Sequence, residues 1–185
     1  MFPLLTKDTA PAEALPLMER SIAAYSFVPN LHAVLAAAPI TYRAYLDTFE
    51  AFEKHSSFSP LEQQIIFQTA NFQNRCHYCL PGHTMLMTLQ KMPAEIIQAL
   101  REGRPLADAK LEALRLYTQR LIDKRGPLTQ GEVHDFLRVG YNERHALEVL
   151  VGLAAKLLSN FTNALAHTPL DEPIKTFEWK HPAER

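Results

Sequence analysis

Residues 59–84 read SPLEQQIIFQTANFQNRCHYCLPGHT, and the structural class follows from how this stretch is punctuated. Ser59-Pro60-Leu61-Glu62 is a capping box with proline at the first helical position, and it opens a helix running to about Phe72. Asn74 is placed to cap the next helix, which carries Cys76, Cys79 and His83. On a regular helix these three side chains fall within about 60° of one another. Unpaired backbone N–H groups in a first turn favour a thiolate, so a cysteine there is expected to ionise readily. Pro81 interrupts this picture, because proline deep in a regular helix costs ~3 kcal/mol. Either the helix kinks between the cysteines and His83, or its regular part begins near Leu80. In the second case the shared face weakens, while Cys79 stays at a helix start.

The rest of the sequence extends the same pattern. The chain has 185 residues, with 26 Leu and 23 Ala against 6 Val and 8 Ile, a balance that favours helix over sheet. Apolar periodicity and breakers predict helices over 12–27, 31–38, 40–54, 60–72, 93–100, 108–124, 130–140 and 142–166, besides the one that carries the cysteines. Thr129 to Glu132 forms a second capping box, and Asn142 caps the longest and most apolar helix. Residues 167–185, with three prolines, read as an extended strap. The expectation is an all-α protein: one helical domain over 1–185 with about eight or nine helices. A net charge of −1 gives no basic excess for a nucleic-acid partner. The apolar run 146–158, broken by Glu148 and Lys156, reads as too short for a membrane span. The first twenty residues do not follow a secretory pattern, and a cytoplasmic location is expected. Neither common phosphate-cradling glycine loop occurs, and no bound cofactor is expected.

Cys76 and Cys79 are the two cysteines of the chain. A C-x-x-C in a reducing compartment reads as redox or metal chemistry. His83, four residues after Cys79, could exchange a proton with that sulfur directly or through one water. Thiolate, partner thiol and proton carrier together form a disulfide-making centre, which attacks an oxidant or a disulfide and then closes Cys76–Cys79. Two other readings compete. A structural zinc site would need His83 or His77 as third ligand and a distant histidine, such as His55, His134 or His145, as fourth. Two inert cysteines could also simply fill the core. Tyr78 reads as a packing residue with a polar tip.

The stretch 59–84 resembles the core motif of the carboxymuconolactone decarboxylase-like superfamily, in particular its alkyl hydroperoxidase D-like branch. FVPNLHAVLAAAPITYRAYL and NALAHTPLDEPIKTFEW are also similar to members of this group. The resemblance implies an all-helical fold that assembles as trimers or hexamers. It also implies reduction of a hydroperoxide through the cysteine pair, followed by re-reduction by a dithiol protein or a small thiol. Carried over by position, Cys76 and Cys79 match the redox pair and His83 the proton-relay histidine. The relay glutamate twelve residues before the first cysteine corresponds here to Gln64, which cannot exchange a proton at ordinary pH. Glu62 lies about 200° round the helix from that position and cannot simply substitute. Some members carry a relay histidine between the cysteines. Tyr78 occupies that place, with His77 one step earlier. The rival functions are a non-catalytic or metal-binding oligomer with a structural C-x-x-C, and a lyase of the decarboxylase branch.

Overall fold

The computed structural model describes residues 2–185, in which the regular elements are nine α-helices and three short 3-10 turns. The helices are α1 (Leu15–Tyr25), α2 (Asn30–Leu35), α3 (Pro39–His55), α4 (Pro60–Gln73), α5 (Cys79–Leu89), α6 (Ala94–Glu102), α7 (Ala109–Asp123), α8 (Gln130–Leu137) and α9 (Glu143–Ala166). Both expected capping boxes are present, at Ser59–Glu62 and Thr129–Glu132, and Asn142 caps α9 by accepting the N–H of His145. The expected strap contains two of the 3-10 turns, Glu172–Phe177 and Pro182–Glu184, and is anchored where Trp179 Nε1 donates to the Arg101 carbonyl at 2.8 Å.

α4 is the centre of the molecule, packed by α5, α6, α7 and α9. Gln63 to Asn71 are buried without a break, so α4 has no solvent face. Ile65, Ile66 and Phe67 join Phe52, Leu114, Tyr117, Phe136 and Val149 in the main core. Truncating such a side chain to alanine costs about 2–5 kcal/mol. A buried helix must satisfy its polar side chains internally, and α4 does so. Gln63 Nε2 donates to the Glu53 carbonyl at 3.0 Å, and Gln68 Nε2 to the Leu80 carbonyl at 3.2 Å. Asn71 Oδ1 accepts from Asn160 of α9 at 2.9 Å.

Gly152 lets α9 approach closely, since a Cβ there would stand 3.0 Å from both Ile66 and Phe52. One helical turn later the same inward face carries Lys156, then Ser159, Asn160 and Asn163, all buried. The outward face is different. Leu147, Leu150, Leu157, Phe161 and Leu165 are exposed, so the chain by itself covers one side only of its most apolar helix. By length and composition α9 does reach what a membrane span needs, with a mean hydropathy of 1.4 over 18 residues, contrary to the expectation from 146–158. The difference arises because the helix runs on to Ala166, so length is met even though Ser159, Asn160, Thr162 and Asn163 are polar.

Candidate active site

The segment between α4 and α5 departs from the expected cap at Asn74. Asn74 instead ends α4, and Arg75 adopts a left-handed conformation with φ 49°. The Arg75 N–H bonds the Phe72 carbonyl at 3.0 Å, and the Cys76 N–H bonds the Asn71 carbonyl at 2.9 Å. These two bonds are the Schellman closure of a helix C-terminus, here with arginine where glycine is usual. Cys76 therefore lies in a turn outside α5, and the three-residue shared face on one regular helix does not form. α5 begins at Cys79, which puts Pro81 in its first turn, where a missing N–H leaves no hydrogen bond unmade. Cys76 Sγ accepts the backbone N–H of Cys79 at 3.2 Å, the bond that a serine makes when it caps a helix.

Both cysteines are free and buried, and they approach to 3.1 Å. A disulfide, at about 2.05 Å, needs a closure of roughly 1 Å. Their environments push the two thiols apart. Burial raises the Cys76 thiol well above its usual range, and its hydrogen bond to Cys79 adds to the effect. Burial also opposes charge on Cys79. It is outweighed by the hydrogen bond from Cys76, the positive charge of Lys156 and hydrogen bonding from Ser159 and Asn160, which bring the thiol down to about 5. Asn163 Nδ2 adds a donor 3.2 Å from Cys79 Sγ. Charge on the pair is thus favoured at Cys79 and disfavoured at Cys76.

His83 lies one turn along α5 from Cys79 and hydrogen-bonds neither sulfur. Its Nδ1 is 2.8 Å from Gln64 Oε1, and its Nε2 is 2.9 Å from Lys156 Nζ. An ammonium has protons to give and no lone pair, so Nε2 must accept from Lys156. Nδ1 then carries the imidazole proton and must face an oxygen, which fixes the Gln64 amide with Oε1 inward. Burial, and then the Lys156 charge, hold His83 well below the usual imidazole range, so it is neutral. Gln64 stands where the resemblance puts a glutamate. It preserves the tautomer of the histidine but supplies no negative charge.

Lys156 is the residue that the sequence reading missed, having treated it only as an interruption of an apolar run. It is 1 % exposed, its Nζ lies 5.2 Å from the Phe67 ring centroid, and among the described residues it pairs with no carboxylate. A buried cation without a counter-ion is costly. The Cys79 thiolate is the anion that its field stabilises.

The other candidates serve the surroundings. Glu62 is spent on the capping box of α4 and also accepts from Tyr141 at 2.8 Å, away from the sulfurs. His77 Nε2 lies 2.9 Å from the Thr168 carbonyl. The Tyr78 hydroxyl accepts the Leu31 N–H at 3.3 Å and donates to the Asp171 carboxylate, so it does have a polar tip. His77 and Tyr78 together tie the strap to the cysteine turn. No three His, Cys, Asp or Glu side chains converge among the described residues, so the zinc reading finds no ligand set. Cys79, His83 and Lys156 instead border a cavity of about 210 Å3, walled mainly by Leu31, Tyr45, Phe49, Met85, Leu86 and Ile174.

No family profile matches the sequence, and neither does any curated protein. Solved structures do match. An uncharacterized peroxidase-related protein with an alkylhydroperoxidase AhpD core, from Ralstonia eutropha JMP134, superposes with a TM-score of 0.82 at 15% identity, over 94% of this chain and 93% of that one. A peroxidase-related protein from Silicibacter sp. TM1040 gives 0.71 at 17% identity, over 90% and 87%. The debrominase Bmp8 gives 0.79 at 16% identity, over 96% and 95%, and a cysteine variant of it was solved with 2,3,4-tribromopyrrole. The fold of this chain is the all-helical AhpD-like fold, as the resemblance of residues 59–84 implied.

Proposed function

We propose that this chain is a thiol-dependent oxidoreductase that reduces an organic hydroperoxide through Cys79 and Cys76. The observation that carries this reading is the pair of free buried cysteines 3.1 Å apart, in which the hydrogen bond from Cys76 and then the charge of buried Lys156 favour a thiolate at Cys79. Fold alone would not carry it, because one fold hosts many chemistries.

The Cys79 thiolate attacks the outer oxygen of the hydroperoxide, the O–O bond breaks, and the alkoxide leaves with a proton from Lys156 as the alcohol. Cys79 is now a sulfenic acid. The Cys76 thiol attacks its sulfur, the S–O bond breaks, and the hydroxyl departs with the thiol proton as water. A dithiol, as a protein or a small molecule, then reduces the disulfide. Of its two protons, one returns to Cys76 and the other leaves to solvent, replacing the one that Lys156 took back from solvent after the alcohol departed, so the starting charge pair is restored. His83 positions Lys156 by accepting from it, and Gln64 holds His83 in the required tautomer. A reducing compartment such as the cytoplasm supplies that dithiol.

Stopped-flow oxidation with cumene hydroperoxide tests the assignment. Wild type is expected to oxidise rapidly and form Cys76–Cys79. Cys79→Ser is expected to be inert, and Cys76→Ser to stop at the sulfenic acid. Equal rates in all three proteins would refute it.

A second reading is favoured by the aromatic-walled cavity and the fold shared with a debrominase. The same pair holds the two electrons needed to replace a ring carbon–bromine bond by carbon–hydrogen, again leaving a disulfide. Bromide release from a bromopyrrole without peroxide consumption would select it.

A further inference from the structure

Two hydrogen-bonding groups of residues that line the cavity bond nothing among the described residues. His32 is 2 % exposed, its ring set edge-on against Tyr25, Tyr42 and Tyr45 at centroid distances of 5.5, 5.4 and 5.5 Å. Its Nδ1 is 2.7 Å from Ser21 Oγ, which also lies 3.1 Å from the Leu17 carbonyl and bonds the Tyr42 hydroxyl. One arrangement of protons makes all three bonds. Ser21 gives its single proton to the Leu17 carbonyl and accepts from both Tyr42 and the Nδ1–H of His32. Nε2 of His32 is then a bare lone pair, and burial keeps the ring neutral by lowering its pKa to about 3.

That Nε2 bonds no other described residue. It is not sealed in the core either. The buried side-chain atoms left without a partner among the described residues are Asn163 Oδ1 and Thr168 Oγ1. Nε2 therefore meets open space, and the cavity is the space that His32 lines. Tyr45 repeats the pattern: it is 5 % exposed, its hydroxyl bonds no described residue, and it lines the same cavity.

We propose that this cavity binds a phenol, a single aromatic ring whose hydroxyl donates to His32 Nε2 and accepts from the Tyr45 hydroxyl. The ring would lie against Leu31, Phe49 and Met85. The volume suits one substituted ring, since a cavity of about 150 Å3 already holds benzene. A plain hydrocarbon or alkyl chain would fill the space but leave both polar groups unpaired, and a site built to pair a hydroxyl discriminates against the ligand that lacks it. That the rest of the ligand faces Cys79 as its reacting end rests on the function proposed above. The binding itself does not.

The test is calorimetric or NMR titration of the reduced full chain with p-cresol and with p-xylene, which has a methyl group in place of the hydroxyl. Neither compound reacts with thiols. Wild type is expected to bind p-cresol about tenfold more tightly or better. His32→Leu is expected to bring the ratio to about one. Tyr45→Phe removes one oxygen, keeps the packing, and is expected to cut the ratio about threefold, so the inference stays testable if His32→Leu does not fold. A ratio near one in wild type, or a ratio unchanged in Tyr45→Phe, would overturn the inference. Loss of discrimination with intact peroxide reduction would sink this inference alone, and intact discrimination without thiol oxidation would sink the proposed function alone.

Discussion

Lys156 Nζ stands 2.9 Å from His83 Nε2, and the far side of that imidazole meets an amide, not a carboxylate, at Gln64. The row Gln64–His83–Lys156 therefore carries one positive charge and no fixed negative one. The thiolate of Cys79 completes it. A carboxylate at position 64 would make His83 a better base. The amide leaves His83 neutral and leaves the Lys156 charge to the sulfur.

Restoring that carboxylate is the first test of this balance. Gln64→Glu is expected to raise the His83 pKa and to compete with Cys79 for Lys156, moving the Cys79 midpoint up by about one pH unit. Gln64→Leu leaves the Nδ1–H unpaired in a buried site and is expected to cost about 1–3 kcal/mol in denaturant unfolding. Site-resolved alkylation and a urea titration read the two outcomes.

Stability should depend on pH differently in the two redox forms. Native Cys79 releases its proton near 5, while the unfolded thiol holds one to about 8.5. Unfolding takes up a proton between these limits, so the stability of the reduced form rises with pH across the window and is lost as pH falls through about 5. The disulfide form lacks this contribution. His83 and His32, both depressed, act in the same sense below about 6.5 in either form. Melts of the two forms between pH 5.5 and 8 should therefore diverge in slope, and parallel curves would contradict the assignment of Cys79.

Removing His83 should disturb Lys156 before it disturbs folding. His83→Ala is expected to slow peroxide reduction by about 10- to 100-fold and to broaden the pH profile, because the lysine loses the acceptor that orients it. A rate loss with an unchanged pH profile would mean that the ring acts only as filling.

The bare face of α9 predicts self-association. Leu147, Leu150, Leu157, Phe161 and Leu165 present an apolar stripe that a second copy would cover. Light scattering is expected to return a multiple of 21.0 kDa, and Leu157→Glu with Phe161→Glu to return the single-chain mass.

Much of this was legible in the sequence because helix punctuation is local. Ser59–Glu62, Thr129–Glu132 and Asn142 each announce a helix start within four residues, and each did so correctly. Asn74 misled because its side chain is compatible with either end of a helix. The deciding feature is the left-handed Arg75, a conformation that the residue type does not advertise. Cys76, Cys79 and His83 were found because a motif spans them. Lys156 was not, since it lies 73 positions from His83 in an apolar run where a charge reads as an interruption. A buried lysine on the inward face of α9, one turn beyond Gly152, was the signal available. His32 and Tyr45 carried none, because which polar atoms stay unpaired is a property of packing.

The most direct test of the central claim is the pH dependence of iodoacetamide alkylation, resolved by mass spectrometry to each cysteine, in wild type and in Lys156→Met. In wild type, Cys79 is expected to react with a midpoint near 5 and Cys76 to stay unreactive until far higher pH. In Lys156→Met the Cys79 midpoint is expected to rise by about one pH unit or more, since the lysine charge is lost while the hydrogen bond from Cys76 stays. A Cys79 midpoint that stays near 5 without Lys156, or a wild-type midpoint already near 8.5, would contradict the account.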